Sequence, residues 1–73
     1  MKKKYGKYKY EIDTYEGSAI GARESIGGNF DSSSFREVQG WELVSHEVSF
    51  FNSNNDLDGG EKFLQCIVWK KDS

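Results

Sequence analysis

Residues 61–71 read Glu-Lys-Phe-Leu-Gln-Cys-Ile-Val-Trp-Lys-Lys, with apolar side chains at both parities of a two-residue period. Phe63, Ile67 and Trp69 alternate with Leu64, Cys66 and Val68. In an extended strand these sets point to opposite faces, and neither face suits full exposure to water. The segment is therefore predicted to be a central strand that needs cover on both sides. Its means of finding cover are few. The 73 residues allow one small domain spanning 1–73, and only 36% of them are apolar, although 15% are aromatic. A chain of this size buries only about 60% of its unfolded surface, so its core is marginal unless something supplements it.

The common supplements are then excluded in turn. Cys66 is the sole cysteine, which rules out an intrachain disulfide and any multi-thiolate zinc site. The longest apolar runs, such as Cys66 to Trp69, are far shorter than the roughly 20 residues of a membrane span or the 7–15 of a secretory leader. The expectation is a reducing, cytoplasmic setting without membrane association. Oligomerisation remains, and a homodimer is the expected partner state.

Charge is unevenly distributed. Lys2, Lys3, Lys4, Lys7 and Lys9 lie at the leading end, so residues 10–73 carry a net −7 while the whole chain carries −2. An acidic body argues against a wholly basic nucleic-acid module and leaves a local basic strip.

Tyr8, Tyr10, Ile12 and Thr14 alternate with Lys9, Glu11 and Asp13, predicting a half-buried strand over 7–15. Residues 16–29 hold Gly17, Gly21, Gly27 and Gly28 without a period and read as a Gly-rich loop, following a basic end at 1–6. Asp31 to Ser34 offer N-cap oxygens, Glu37 completes a capping-box spacing with Ser34, and Phe35 and Val38 share a face. Gly40 supplies the stop, so a helix of about two turns is expected to end there. Residues 41–52 form a strand with Trp41, Leu43 and Ser45 on one face and Val44, His46, Val48 and Phe50 on the other. A polar turn over 53–60 leads into 61–71.

The expected fold is α+β, β-α-β-β: a mostly antiparallel three-stranded sheet of order 2-3-1 with one short helix on one face. A right-handed crossover makes the first two strands parallel and leaves room for the third between them.

The segment Gly40-Trp41-Glu42-Leu43-Val44-Ser45, with Tyr8-Lys9-Tyr10 before it and Leu64 to Lys71 after it, resembles the signature of a small uncharacterised bacterial family, the domain of unknown function 4177. The helix is shorter and the 16–29 segment richer in Gly and Ser than that pattern. The resemblance implies the fold and carries no activity. The hexapeptide's own physics is structural: Gly40 ends a helix, Trp41 folds back over its end and Leu43 enters the core.

The residues offer a few candidate chemistries. His46 and Cys66 fall near one another if the hairpin turns about residue 56, which is the geometry of an activated thiol; the plainer reading is a cysteine packed as a small hydrophobe. Asn54 to Gly59 resembles the first half of a calcium loop, but Gln65 stands where the bidentate Glu is required. Asp56, Asp58 and Glu61 are left as weak cation donors at most. No phosphate loop and no nucleophile elbow are present, so no catalytic constellation, metal centre or cofactor is assigned.

The expected function is a non-catalytic binding or protein-interaction module that self-associates through a sheet face or edge, with Val44, His46, Val48, Phe50, Cys66 and Val68 as the candidate surface. The alternative is a single-stranded nucleic-acid binder using Lys2, Lys3, Lys4, Lys7, Tyr8 and Lys9, since lysines pair with phosphates and aromatic rings stack on bases. A thiol-dependent enzyme using His46 and Cys66 ranks below both.

Overall fold

The computed structural model describes residues 7–52 and 60–72. The chain runs β1 (Tyr8–Ser18), α1 (Ala22–Ser33), a 3₁₀ segment (Ser34–Gln39), β2 (Glu42–Asn52) and β3 (Glu61–Asp72). The strands form one sheet in the order β1-β3-β2, with β3 antiparallel to both neighbours. This is the expected α+β architecture and strand order. β3, the strand with the most apolar side chains on both faces, takes the central position.

The helix departs from expectation. Residues 16–29 are not a loop: β1 continues to Ser18, and α1 begins at Ala22 and holds Gly27 and Gly28 in its interior. Those glycines cost roughly 1 kcal/mol each relative to Ala, so local propensity opposes this helix. Its stripe of Ala22, Ile26, Asn29, Phe30 and Ser33 recurs at helical spacing and faces the sheet. Ala22 and Ser33 are buried, and the other three are half-buried. Tertiary packing therefore overrides a weak sequence. Gly21 opens the helix in the left-handed region at φ 75°, with no side-chain cap.

The expected capping box does not form. Ser34 Oγ donates to the Asp31 carbonyl instead, because Ser34 directly follows the last residue of α1 and does not stand in front of a helix. Phe35 and Val38, expected to face the sheet, are exposed. Gly40 terminates the 3₁₀ segment at φ 93°, with its N–H bonded to Glu37 O and the Trp41 N–H to Arg36 O. That stop was legible in the sequence.

Phe63, Ile67 and Trp69 of β3 are fully buried on the side that α1 covers, with Gln65 among them. Gly17 pairs with Phe63, and a Cβ there would lie 3.0 Å from the Phe63 ring. Glycine at this position lets the ring approach β1 closely.

β1 is amphipathic with the expected period, but its buried side is inverted. Glu11 and Asp13 turn towards the helix, while Tyr8, Tyr10 and Ile12 turn away. On the helix side Arg36, carried by the 3₁₀ segment, meets both carboxylates, Asp13 Oδ1 at 2.8 Å and Glu11 Oε1 at 3.4 Å. β2 departs through a bulge: Leu43 pairs with Trp69 and Ser45 with Val68, leaving Val44 as the extra residue. Parity reverses at that point. Leu43 thus shares the helix-side face with His46, Val48 and Phe50 but is 40% exposed and does not enter the core as expected, and Ser45 moves to the opposite face, against the expected grouping.

Candidate interaction face

The sheet's two faces carry different chemistry. On the helix side, Trp69 Nε1 donates to Ser33 Oγ at 2.8 Å, and Ser33 Oγ donates to Asp13 Oδ2 at 2.6 Å. Arg36 completes the chain with Nε on Asp13 Oδ2 at 2.9 Å and Nη2 on Oδ1 at 2.8 Å. The Arg36 hydrogen bond holds the Asp13 carboxyl below its ordinary range, burial opposes this, and the Ser33 bond adds to it. The Arg36 guanidinium also lies 5.0 Å from the Trp41 ring centre, and Lys71 Nζ lies 5.5 Å from the same ring. Trp41 therefore packs at the end of the 3₁₀ segment, as the hexapeptide's physics implied.

A second polar cluster surrounds Gln65. Its Nε2 donates to Ile26 O at 3.1 Å and sits 2.9 Å from His46 Nε2, while Asn29 Nδ2 donates to its Oε1 at 3.0 Å. The Ile26 carbonyl fixes the amide orientation, so Gln65 presents an N–H to His46 Nε2. Phe30 stacks on the imidazole at 4.7 Å. Both clusters are fully partnered and read as devices that seat the helix.

The His46–Cys66 idea is corrected by register. His46 pairs with Ile67, and Glu47 pairs with Cys66, so His46 and Cys66 stand on opposite faces. The imidazole is engaged by Gln65 and Phe30 and does not meet the thiol.

The same parity divides the candidate surface. His46, Val48 and Phe50 lie on the helix side, Cys66 and Val68 on the open side, and Val44 in the bulge. The basic strip is divided likewise. Tyr8 pairs with Asp72 on the open face, whereas Lys9 pairs with Lys71 on the helix side; Lys7 precedes β1 and is exposed. Lys2, Lys3 and Lys4 lie outside the described residues, as do Asp56 and Asp58 of the weak cation loop. Among the described residues no cluster of three or more His, Cys, Asp or Glu side chains is placed to hold a metal ion.

The structure instead gathers a different set. Tyr10, Ile12 and Thr14 of β1, Leu64, Cys66 and Val68 of β3, and Ser45, Glu47 and Ser49 of β2 share the face away from the helix. Tyr10 and Ile12 are 60% and 61% exposed, so nothing among the described residues packs over them. Lys70 Nζ sits 4.6 Å from the Tyr8 ring centre, and Tyr8 and Tyr10 meet at a tilt with centroids 6.4 Å apart. The alternation of Tyr8, Tyr10 and Ile12 marked this stripe in the sequence; its missing element was the side on which the helix lies.

No family model matches the chain, and no curated protein or solved structure matches it. No helix among the described residues is long and apolar enough to cross a membrane.

Proposed function

We propose that the protein is a non-catalytic, cytoplasmic interaction module that self-associates through the open face of its sheet, and that it belongs with the bacterial domain of unknown function 4177 proteins it resembles. The observation that carries the self-association is the exposure of Tyr10 and Ile12 beside Leu64, Cys66 and Val68 on a face with no helix. A contiguous apolar patch on a small chain favours a protein partner, because covering it removes apolar area from water at about 25 cal/mol per Å². Among the described residues, the buried apolar ones, Ala22, Phe63, Ile67 and Trp69, all belong to the helix side. A partner on the other face would supply the missing half of the core.

The test is the mass in solution, measured by light scattering on the eluting protein at tens of micromolar. A dimer is expected, and Ile12→Lys should yield monomers. Val38→Lys changes a 77% exposed residue of the 3₁₀ segment and should leave the dimer intact. A monomeric wild-type chain, or a dimer lost only with Val38→Lys, overturns the reading.

The contact between Lys70 and the Tyr8 ring, with Tyr10 beside it, favours a second reading. Cations next to exposed rings on a flat sheet suit single-stranded nucleic acid. Glu16 and Glu47 on the same face oppose it. Binding of a labelled single strand at low salt that weakens with Tyr10→Ala would support this reading over the first.

A further inference from the structure

We infer that His46 is a pH-sensitive latch on α1: its neutral ring accepts the buried Gln65 N–H and keeps the helix seated, and its charged ring releases it. The latch lies on the helix side and is independent of what occupies the open face. Gln65 is fully buried and its amide is committed: Nε2 serves Ile26 O at 3.1 Å and faces His46 Nε2 at 2.9 Å, while Oε1 takes Asn29 Nδ2 at 3.0 Å. An imidazole that gains a proton carries N–H on both nitrogens and accepts nothing. Two donors would then face each other, one of them on a side chain that water does not reach. His46 itself is exposed, so solvent supplies the proton directly. Phe30 would hold a charged ring as well as a neutral one, so the Gln65 bond is what distinguishes the two.

Two relaxations are open, and both loosen α1. The ring can swing away, which ends its stack on Phe30 at 4.7 Å. Alternatively the Gln65 amide can turn over to offer Oε1 to the ring, which takes Nε2 from the Ile26 carbonyl and sets it against Asn29 Nδ2. The helix has little with which to absorb either loss, since Gly27 and Gly28 lie inside it and no side chain caps its start. Its far end stays pinned, because Ser33 is bonded to Asp13 and Trp69. The loosened part is therefore the stretch from Ile26 to Phe30.

The groups around the ring are neutral. β3 presents Gln65, Ile67 and Trp69, α1 presents Asn29 and Phe30, and β2 itself presents Leu43 and Val48 on this face. The charged groups of the helix side are engaged or distant. Arg36 of the 3₁₀ segment is paired with Asp13 and Glu11 of β1. Lys9 and Lys71 lie two rows along the sheet and Glu61 three rows the other way. Arg23, Glu24 and Asp31 of α1 and Glu37 of the 3₁₀ segment are exposed, and Glu47, next to His46 in sequence, turns to the open face.

The seated helix takes the neutral ring, whereas a loosened or unfolded chain takes either form. Acidification through the ordinary imidazole range, near about 6.5, therefore favours the loosened state. His46 is the only histidine and ordinary carboxylates stay ionised there, so His46 is the side chain that changes charge in this window. The test is amide exchange of the full chain, read as protection factors over Ile26 to Phe30 at about pH 7.5 and about pH 5.5. The concentration is one at which light scattering gives the same mass at both. Protection is expected to fall several-fold on acidification, up to about tenfold. In His46→Phe, which keeps a ring on Phe30 and cannot titrate, protection should not change with pH. In Gln65→Glu the carboxylate and the ring share one proton in the seated state, so protection should rise on acidification instead. Unchanged wild-type protection overturns the inference, and so does a fall that persists in His46→Phe. A fall in Gln65→Glu as large as in the wild-type chain assigns the effect to the ring's burial and overturns the latch. Should dichroism show Gln65→Glu unfolded, the wild-type chain and His46→Phe decide.

Discussion

Arg36 grips Asp13 with two prongs, Nε at 2.9 Å from Oδ2 and Nη2 at 2.8 Å from Oδ1, across 23 residues of chain. The pair ties the 3₁₀ segment to β1, and Ser33 and Trp69 extend it into the core. Bidentate geometry makes it stronger than an ordinary surface ion pair. Arg36→Ala is expected to cost about 1–3 kcal/mol by leaving the Asp13 carboxylate without its main donor, read as a lower urea midpoint. Arg36→Lys should recover only part of this, because an ammonium cannot reproduce the fork.

The same pair sets an acid dependence. Asp13 is held below its ordinary value of 3.8, chiefly by Arg36. A carboxyl with a depressed folded-state pKa contributes stability that is fully present above the unfolded-state value. That stability is lost as pH falls through the unfolded value and on through the folded one. Urea midpoints measured downward from neutral pH should therefore fall more steeply below about pH 4 in the wild-type chain than in Asp13→Asn. Equal slopes would show that the pair contributes nothing to acid stability.

Gln65 is fully buried and bonded to Ile26, Asn29 and His46. Gln65→Leu keeps much of the volume and strips those bonds, which should cost about 1–3 kcal/mol. Because these partners lie in α1 and β2, the loss should appear first as faster amide exchange in α1, before the sheet opens. Uniform loss of protection across the sheet and the helix would count against a seating role for Gln65.

Gly27 and Gly28 sit in the helix interior with negative φ and open space where a Cβ would be built. Replacing either with Ala should raise stability by about 0.5–1 kcal/mol, since the helix loses nothing and the unfolded chain loses freedom. Thermal unfolding of each variant is the measurement, and an unchanged or lower midpoint would contradict a helix over Ala22–Ser33.

Gly17 is the opposite case. A Cβ there would come within 3.0 Å of the buried Phe63 ring, which has no room to retreat. Gly17→Ala should cost about 1–3 kcal/mol through overpacking. Adding Phe63→Leu should make the pair of changes less than additive, because the smaller side chain relieves the clash.

What the sequence determined by itself was the set of strands and their order. The two-sided apolar pattern of β3 marks it as central, the turn before it makes β2 its hairpin partner, and Gly40 can only be a stop. These are local properties of period and backbone freedom, and they need no partner to be read. Tertiary structure decided the rest, because it decided which side of each strand faces the helix. Gly27 and Gly28 obscured α1 until its stripe of Ala22, Ile26, Asn29, Phe30 and Ser33 met the sheet. Glu11 and Asp13 lie on the helix side, where Arg36 meets them, and Tyr8, Tyr10 and Ile12 lie on the other. The extra residue at Val44 reversed the parity of β2 and parted His46 from Cys66. The candidate surface was accordingly divided between two faces. An alternating pattern fixes which residues share a face, but only the contacts made across the fold fix which face is covered.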